Sequence, residues 1–190
     1  MSVDASSSAV RHRLKQHLFL IGFMGSGKST VASTLSAALG LPALDSDACL
    51  EQELGCSIAD FFSREGEQAF RDRETEFLRR LRGQSPCLVS CGGGMALRSE
   101  NRALMRLLGP VIYLTATPET VFSRIGTDTA RPLLKAKKTP ADIAAMMQAR
   151  LPLYEDAASL KIATDHLSPA EITDALIRLL QPFLSGDESR

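Results

Sequence analysis

Short apolar runs and longer amphipathic stretches alternate along this chain of 190 residues. The runs at 17–23, 42–44, 87–90, 111–114 and 161–163 are apolar or β-branched, too short for helices, and flanked by turn-forming residues; they predict strands. Between them, apolar residues recur at the spacing of one helical face over 29–39, 47–54, 58–64, 67–81, 99–108, 118–125, 140–158 and 169–183. Such alternation means parallel strands joined by crossover helices, hence an α/β fold of three layers around a central parallel sheet of about five strands. Ligands in such sheets sit at the carboxyl ends of the strands. No internal repeat is visible, and no linker separates two cores. The length suits one well-buried domain. The expected organisation is a disordered leader at 1–16, a single domain over 17–184 and a tail at 185–190.

Residues 126–139 break the pattern. They are rich in Lys, Gly, Thr and Pro and hold no apolar period long enough for an element. A connection of this length inside a compact domain is a lid, a binding loop or disorder. Arg131, Lys135, Lys137 and Lys138 carry the charge that a mobile lid closing over phosphates needs. A solvated basic loop is the plainer alternative.

Composition removes several classes of function. Lys plus Arg and Asp plus Glu both number 22, so no positive excess points to nucleic acid. No apolar run approaches the ~20 residues that cross a bilayer, and no membrane partner is expected. Arg11, Arg13 and Lys15 precede an apolar octet, as in a signal peptide, but the octet runs on into Gly27-Lys28-Ser29-Thr30 where a cleavage site should stand. Cys49, Cys56, Cys87 and Cys91 form no C-x-x-C pair and have no histidine nearby, which argues against zinc and for a reducing compartment. Cys87 and Cys91 flank a strand and read as packing residues. The expected protein is a cytoplasmic monomer, and none of His12, His17 and His166 is expected to serve as a base.

Candidate chemistry begins after the first long strand. The run Gly22-Phe23-Met24-Gly25-Ser26-Gly27-Lys28-Ser29-Thr30 fits G-x-x-x-x-G-K-[ST], the phosphate-binding P-loop, without a mismatch. Its glycines let backbone N–H groups turn inward around phosphate oxygens. Lys28 brings a mobile positive charge to the β- and γ-phosphates, and the Ser29 hydroxyl can ligate Mg²⁺. The helix that starts there adds its positive end. A nucleoside triphosphate is the expected ligand.

What receives the phosphate must be read elsewhere. Asp45-Ser46-Asp47 follows the second strand and so lies on the phosphate side of the sheet. One carboxylate could stand near Mg²⁺ and the other orient an acceptor hydroxyl, although helix capping explains either without chemistry. Gly92-Gly93-Gly94 follows the third strand, where a backbone must come close to a ligand or simply turn. Arg71 and Arg150, aimed at one pocket, would clamp a carboxylate; taken singly, each reads as a surface residue.

Six runs in order carry a more specific signal: GFMGSGKST at 22–30, DSD at 45–47, SIADFFSREGEQAFR at 57–71, GGG at 92–94, ARPLL at 130–134 and RLPLYEDAA at 150–158. Together they resemble the shikimate kinase family of small P-loop kinases, over residues from about 18 to 180. The resemblance implies phosphorylation of the 3-hydroxyl of shikimate by ATP with Mg²⁺, in aromatic amino-acid biosynthesis. It implies that Gly25, Ser26, Gly27, Lys28, Ser29 and Thr30 cradle the nucleotide phosphates, with Lys28 on the transferring group and Ser29 on Mg²⁺. Asp45 would hold the metal through water, and Asp47 would bind the acceptor hydroxyl and help remove its proton. Arg71 and Arg150 would grip the shikimate carboxylate while Gly92, Gly93 and Gly94 approach the ring hydroxyls. Arg131 would swing onto the phosphates and Arg124 would pack on adenine. The chain departs from the family at Leu167, which stands where a second adenine-side arginine is common. A kinase of another polyol carboxylate such as gluconate, and a nucleotide-binding protein without catalysis, are the competing readings.

Overall fold

The computed structural model describes residues 13–125 and 139–185. The chain enters through β1 (Arg13–Leu14) and β2 (Leu18–Ile21), then passes through helix α1 (Lys28–Leu39), β3 (Ala43–Asp45), α2 (Ser46–Leu54) and α3 (Ile58–Leu81). It continues through β4 (Leu88–Ser90), α4 (Ser99–Leu108), β5 (Val111–Thr115) and α5 (Pro118–Ile125). After the undescribed stretch come α6 (Pro140–Ala157), β6 (Leu160–Ala163), α7 (Pro169–Leu180) and β7 (Leu184–Ser185). The central sheet has the order β3-β4-β2-β5-β6, with every neighbouring pair parallel. This is the three-layer α/β fold with five parallel strands that the alternation predicts.

Side chains of each strand point alternately to the two faces, and both faces are covered. Leu18 and Leu20 of β2 join Leu88, Ile112 and Leu114 under Val31, Leu35 and Leu39 of α1 and Ile172, Leu176 and Leu180 of α7. Phe19 and Ile21 join Val89, Val111 and Tyr113 under α3, α4 and α6, through Phe70, Phe77, Leu78, Met105, Ile143 and Tyr154. Burial on both faces is why these strands read as unbroken apolar runs rather than as alternating ones.

The central strand β2 sits where the chain's course through the sheet reverses: it moves out to β3, returns to β4, then crosses to β5. The crevice at the carboxyl ends of the strands opens there. Helix α3 is broken at Gly66, whose φ of 84° and ψ of 165° no helix contains, so the stretches expected at 58–64 and 67–81 are two helical pieces meeting at a kink. Among the described residues nothing lies within 4 Å of a methyl group placed on Gly66; backbone conformation calls for glycine there.

The expected leader ends earlier than residue 16. Arg13 and Leu14 pair antiparallel with Ser185 and Leu184, and Leu14 and Leu184 are buried with the α1–α7 face. A two-residue strand carries almost no periodicity, which hid the ribbon from a sequence reading. Residues 1–12, 126–138 and 186–190 lie outside the described residues, and with them the expected lid at 126–139, save Thr139, and its Arg131.

Candidate active site

The P-loop forms as its spacing predicts. Gly25 and Gly27 take φ values of 78° and 92°, a left-handed region that side chains resist. Gly27 is the N-cap of α1 and makes no side-chain cap, so the first N–H groups of α1 are left to meet an anion. Lys28 Nζ donates to the carbonyl oxygens of Gly22 and Phe23 at 2.9 and 3.0 Å, folding the side chain back across its own loop. The loop opens into a cleft of about 360 Å³ whose lining includes Gly25, Gly27, Lys28, Ser29 and Thr30. Ser26 is placed differently. Its N–H donates to Phe23 O, and its hydroxyl is buried without a hydrogen-bond partner among the described residues, so it shapes the loop from below instead of facing the cleft.

Across the cleft stand the residues that follow β3 and β4. Asp45 does two things at once: Oδ1 caps α2 by accepting from Asp47 N and Ala48 N at 3.0 and 3.2 Å, while Oδ2 accepts from Ser29 Oγ at 3.4 Å. Capping and a role beside the phosphate loop are therefore compatible. Ser46 is fully buried and accepts from Gly92 N at 2.8 Å, tying the glycine run to the start of α2. A methyl group on Gly92 would strike the Asp47 carboxylate, and one on Gly94 would strike the Arg71 guanidinium. Gly93 is different, since among the described residues nothing lies nearer than 3.8 Å to such a methyl. Two of the three glycines thus leave room for the side chains beside them, and the third leaves the cleft wall bare among the described residues.

Arg71 is held on several sides. Its Nε and Nη2 donate to Glu67 Oε1 at 3.2 and 2.7 Å, and Nη1 to Glu74 Oε2 at 2.8 Å. The guanidinium also lies 5.9 and 5.7 Å from the ring centroids of Phe62 and Phe70. Each terminal nitrogen keeps a second N–H, a fork suited to a carboxylate. Glu74 is buried to 1 % exposure. Burial pushes its carboxyl up to about 7, with Asp47 adding to the rise while Arg71 and Arg98 oppose it. Arg150 stands over the Phe23 ring at 5.6 Å. Burial raises the Tyr154 hydroxyl, the charges of Arg150 and Arg71 oppose the rise, and the hydroxyl donates to Gly93 O at 2.7 Å.

Arg124 lines the cleft on its far side. It donates to Gly25 O, Thr164 Oγ1 and Thr164 O at 3.2, 3.0 and 2.8 Å, which pins it between the P-loop and the end of β6. Leu167 is 39 % exposed and follows His166, whose φ of 58° is left-handed. Burial raises the Cys87 thiol to about 11 and the Cys91 thiol further still, as packing residues require. His17 is likewise structural: buried Nε2 bonds Leu81 O at 2.9 Å, and Nδ1 accepts from Cys87 N.

Ser46, Glu74 and Tyr154 join the site through contacts that residue type and spacing do not single out. Tyr154 lies inside the run RLPLYEDAA, and Glu74 lies one helical turn after Arg71, where a partner for a clamp arginine would be sought. The arrangement can take phosphate oxygens on the loop side. Opposite, it offers a carboxylate at Asp47 and two arginines.

The family model described as "Shikimate kinase" matches residues 24–181. A shikimate kinase of Cupriavidus pinatubonensis is 39% identical over 167 residues, covering 88% of this chain and 87% of the relative. Among solved structures, the shikimate kinase from Acinetobacter baumannii in complex with shikimate superposes with a TM-score of 0.81 at 32% identity, over 87% of this chain and 92% of that one. A gluconokinase from Sinorhizobium meliloti shares the fold alone, with a TM-score of 0.54 at 20% identity over 88% of this chain and 94% of that one. With its P-loop, its strand order and its matched length, this chain belongs to the shikimate kinase family.

Proposed function

We propose that this protein transfers the γ-phosphate of ATP to the 3-hydroxyl of shikimate, releasing ADP and shikimate 3-phosphate. The observation that carries the reading is one of placement: Asp47 packs on Gly92 and Arg71 on Gly94, so a general base and a carboxylate fork share one short stretch of backbone beside the P-loop. Shikimate carries both groups that such a pair would recognise, a carboxylate and ring hydroxyls. The A. baumannii relative is described with shikimate bound.

In this reading the N-terminus of α1 and Lys28 hold the triphosphate, and Arg124 flanks the base. Arg71 and Arg150 take the carboxylate. Asp47 orients the 3-hydroxyl and accepts its proton as the oxygen attacks phosphorus and the bond to ADP breaks. Ser29 Oγ and Asp45 Oδ2, 3.4 Å apart on the loop side, are oxygen donors of the kind Mg²⁺ takes, directly or through water. When bound, Mg²⁺ neutralises charge on the phosphates. Arg131 is assigned to the phosphates by family resemblance. A cytoplasmic setting, with small molecules as the partners, belongs to the same reading, supported by four cysteines that form no disulfide. We assign a monomer.

Coupled ADP release with shikimate and with gluconate tests the substrate. Shikimate alone should sustain turnover, and turnover with gluconate alone would assign the neighbouring chemistry instead. Asp47→Asn should lower kcat roughly 10²- to 10⁴-fold while ATP binding stays near wild type.

A further inference from the structure

Asn101, in the first turn of α4, is fully buried and does not line the cleft. A primary amide is costly in such a place unless its hydrogen bonds are made. Nδ2 donates to Met95 O at 3.0 Å, and Oδ1 accepts from Thr75 Oγ1 at 2.7 Å. The two bonds fix each other's sense. A backbone carbonyl can only accept, so the amide nitrogen faces Met95 and the amide oxygen faces Thr75. The single proton of the Thr75 hydroxyl is thereby committed to Asn101, although Arg71 O lies 3.0 Å away. Arg98 Nη1 donates to the same hydroxyl at 3.3 Å.

Met95 opens a single helical turn, Met95–Leu97, that continues the glycine run. Met95 N donates to Gly92 O and Leu97 N to Gly94 O, so run and turn form one piece. Thr75 stands one turn after Arg71 on α3. Asn101 therefore ties the far end of the glycine run to the helical piece that carries Arg71. The near end is tied by Ser46 to α2, which carries Asp47. Little slack is allowed at the far end, since Gly94 leaves no room for a methyl group against the Arg71 guanidinium. A displacement of about 1 Å is enough to spoil an arrangement of reacting groups.

We infer that Asn101 and Thr75 are positioning residues for Arg71: their buried hydrogen bond sets how far the guanidinium stands from the backbone of Gly94, and so where the carboxylate end of the acceptor is held. The carboxylate role of Arg71 rests on the proposed function, whereas the spacing does not.

Thr75→Val keeps the shape of the side chain and removes its hydroxyl, and Thr75→Ser keeps the hydroxyl. With shikimate as the varied substrate, Thr75→Val should raise KM about fivefold, the effect of one neutral hydrogen bond. KM for ATP and kcat should hold, and Thr75→Ser should behave as wild type. Asn101→Leu should reproduce the rise, and adding Thr75→Val to it should raise KM no further, because both act through one bond. A ligand-free measurement stands beside the kinetics. The Gly94 backbone N–H and Arg71 Nε–H resonances should move together in Thr75→Val and stay in place in Thr75→Ser, with the Gly27 N–H of the P-loop unchanged in both. Unmoved Gly94 and Arg71 resonances in Thr75→Val, or a KM for ATP that rises as much as that for shikimate, would leave the bond a packing role and overturn the inference. Should the wild-type protein ignore shikimate while the resonances respond as described, the proposed function falls and the spacing role stands.

Discussion

At Gly94 a methyl group would occupy the space that the Arg71 guanidinium fills, whereas at Gly93 it would meet no atom of the described residues closely. The two positions separate causes that a run of three glycines merges. Gly94→Ala should displace Arg71 and raise KM for shikimate, with ATP unaffected; Gly93→Ala should fold normally and lose acceptor binding only if the ligand itself needs the bare backbone. Parallel KM and melting-point measurements on the two variants distinguish these outcomes. Glu74 carries a pH signature. Its carboxyl rises from an ordinary 4.5 to about 7 in the fold, chiefly through burial, so the native state binds this proton more tightly than the unfolded chain does. The stabilising contribution is complete below about 4.5 and is lost as pH climbs through 7. Wild-type stability relative to Glu74→Gln should therefore decline across that window, in urea midpoints taken from pH 4.5 to 8. The P-loop is legible in residue type and spacing, whereas Asp47, Arg71 and Arg150 stand out from the plainer readings only through the resemblance to the family. Glu74 and Tyr154 are singled out by neither, because a buried carboxyl and a buried phenol draw their meaning from neighbours distant in sequence or from the packing around them.

Helix α3 shows how an element aims a side chain. The helix is broken at Gly66, and Arg71 lies in the piece beyond the break, where Phe62 from the first piece and Phe70 from the second both pack near its guanidinium. Gly66→Ala meets no steric neighbour, so its cost is that of a backbone conformation reserved for glycine, about 1–3 kcal/mol. Chemical denaturation should report that loss, and KM for shikimate should rise with it if the kink sets the direction of Arg71. The helices and the five strands of the central sheet follow from hydrophobic period, the β1–β7 ribbon does not. The period separates 58–64 from 67–81, where the structure joins two helical pieces at a kink. Strand ends were less legible: β2 covers Leu18–Ile21 rather than 17–23, because the last apolar residues of the run already turn into the P-loop.

At the scale of the whole molecule, two apolar layers share one sheet, and the layer under α1 and α7 is closed at its margin by the β1–β7 ribbon. Leu14 and Leu184 are buried together there. Leu14→Ala and Leu184→Ala should each cost about 2 kcal/mol, the lower end for buried leucines, and the double variant less than their sum because one contact is removed twice. Additive losses in urea unfolding would mean the two ends are anchored separately. The pairing also dictates how the fold meets mechanical load. Arg13 lies opposite Ser185 at the outer end of an antiparallel pair, so tension applied through these two residues peels the ribbon open one rung at a time instead of shearing its bonds in concert. The first rupture in a pulling experiment should thus be gentle and confined to this seam, with the phosphate loop still seated on a five-stranded sheet that has not yet felt the force.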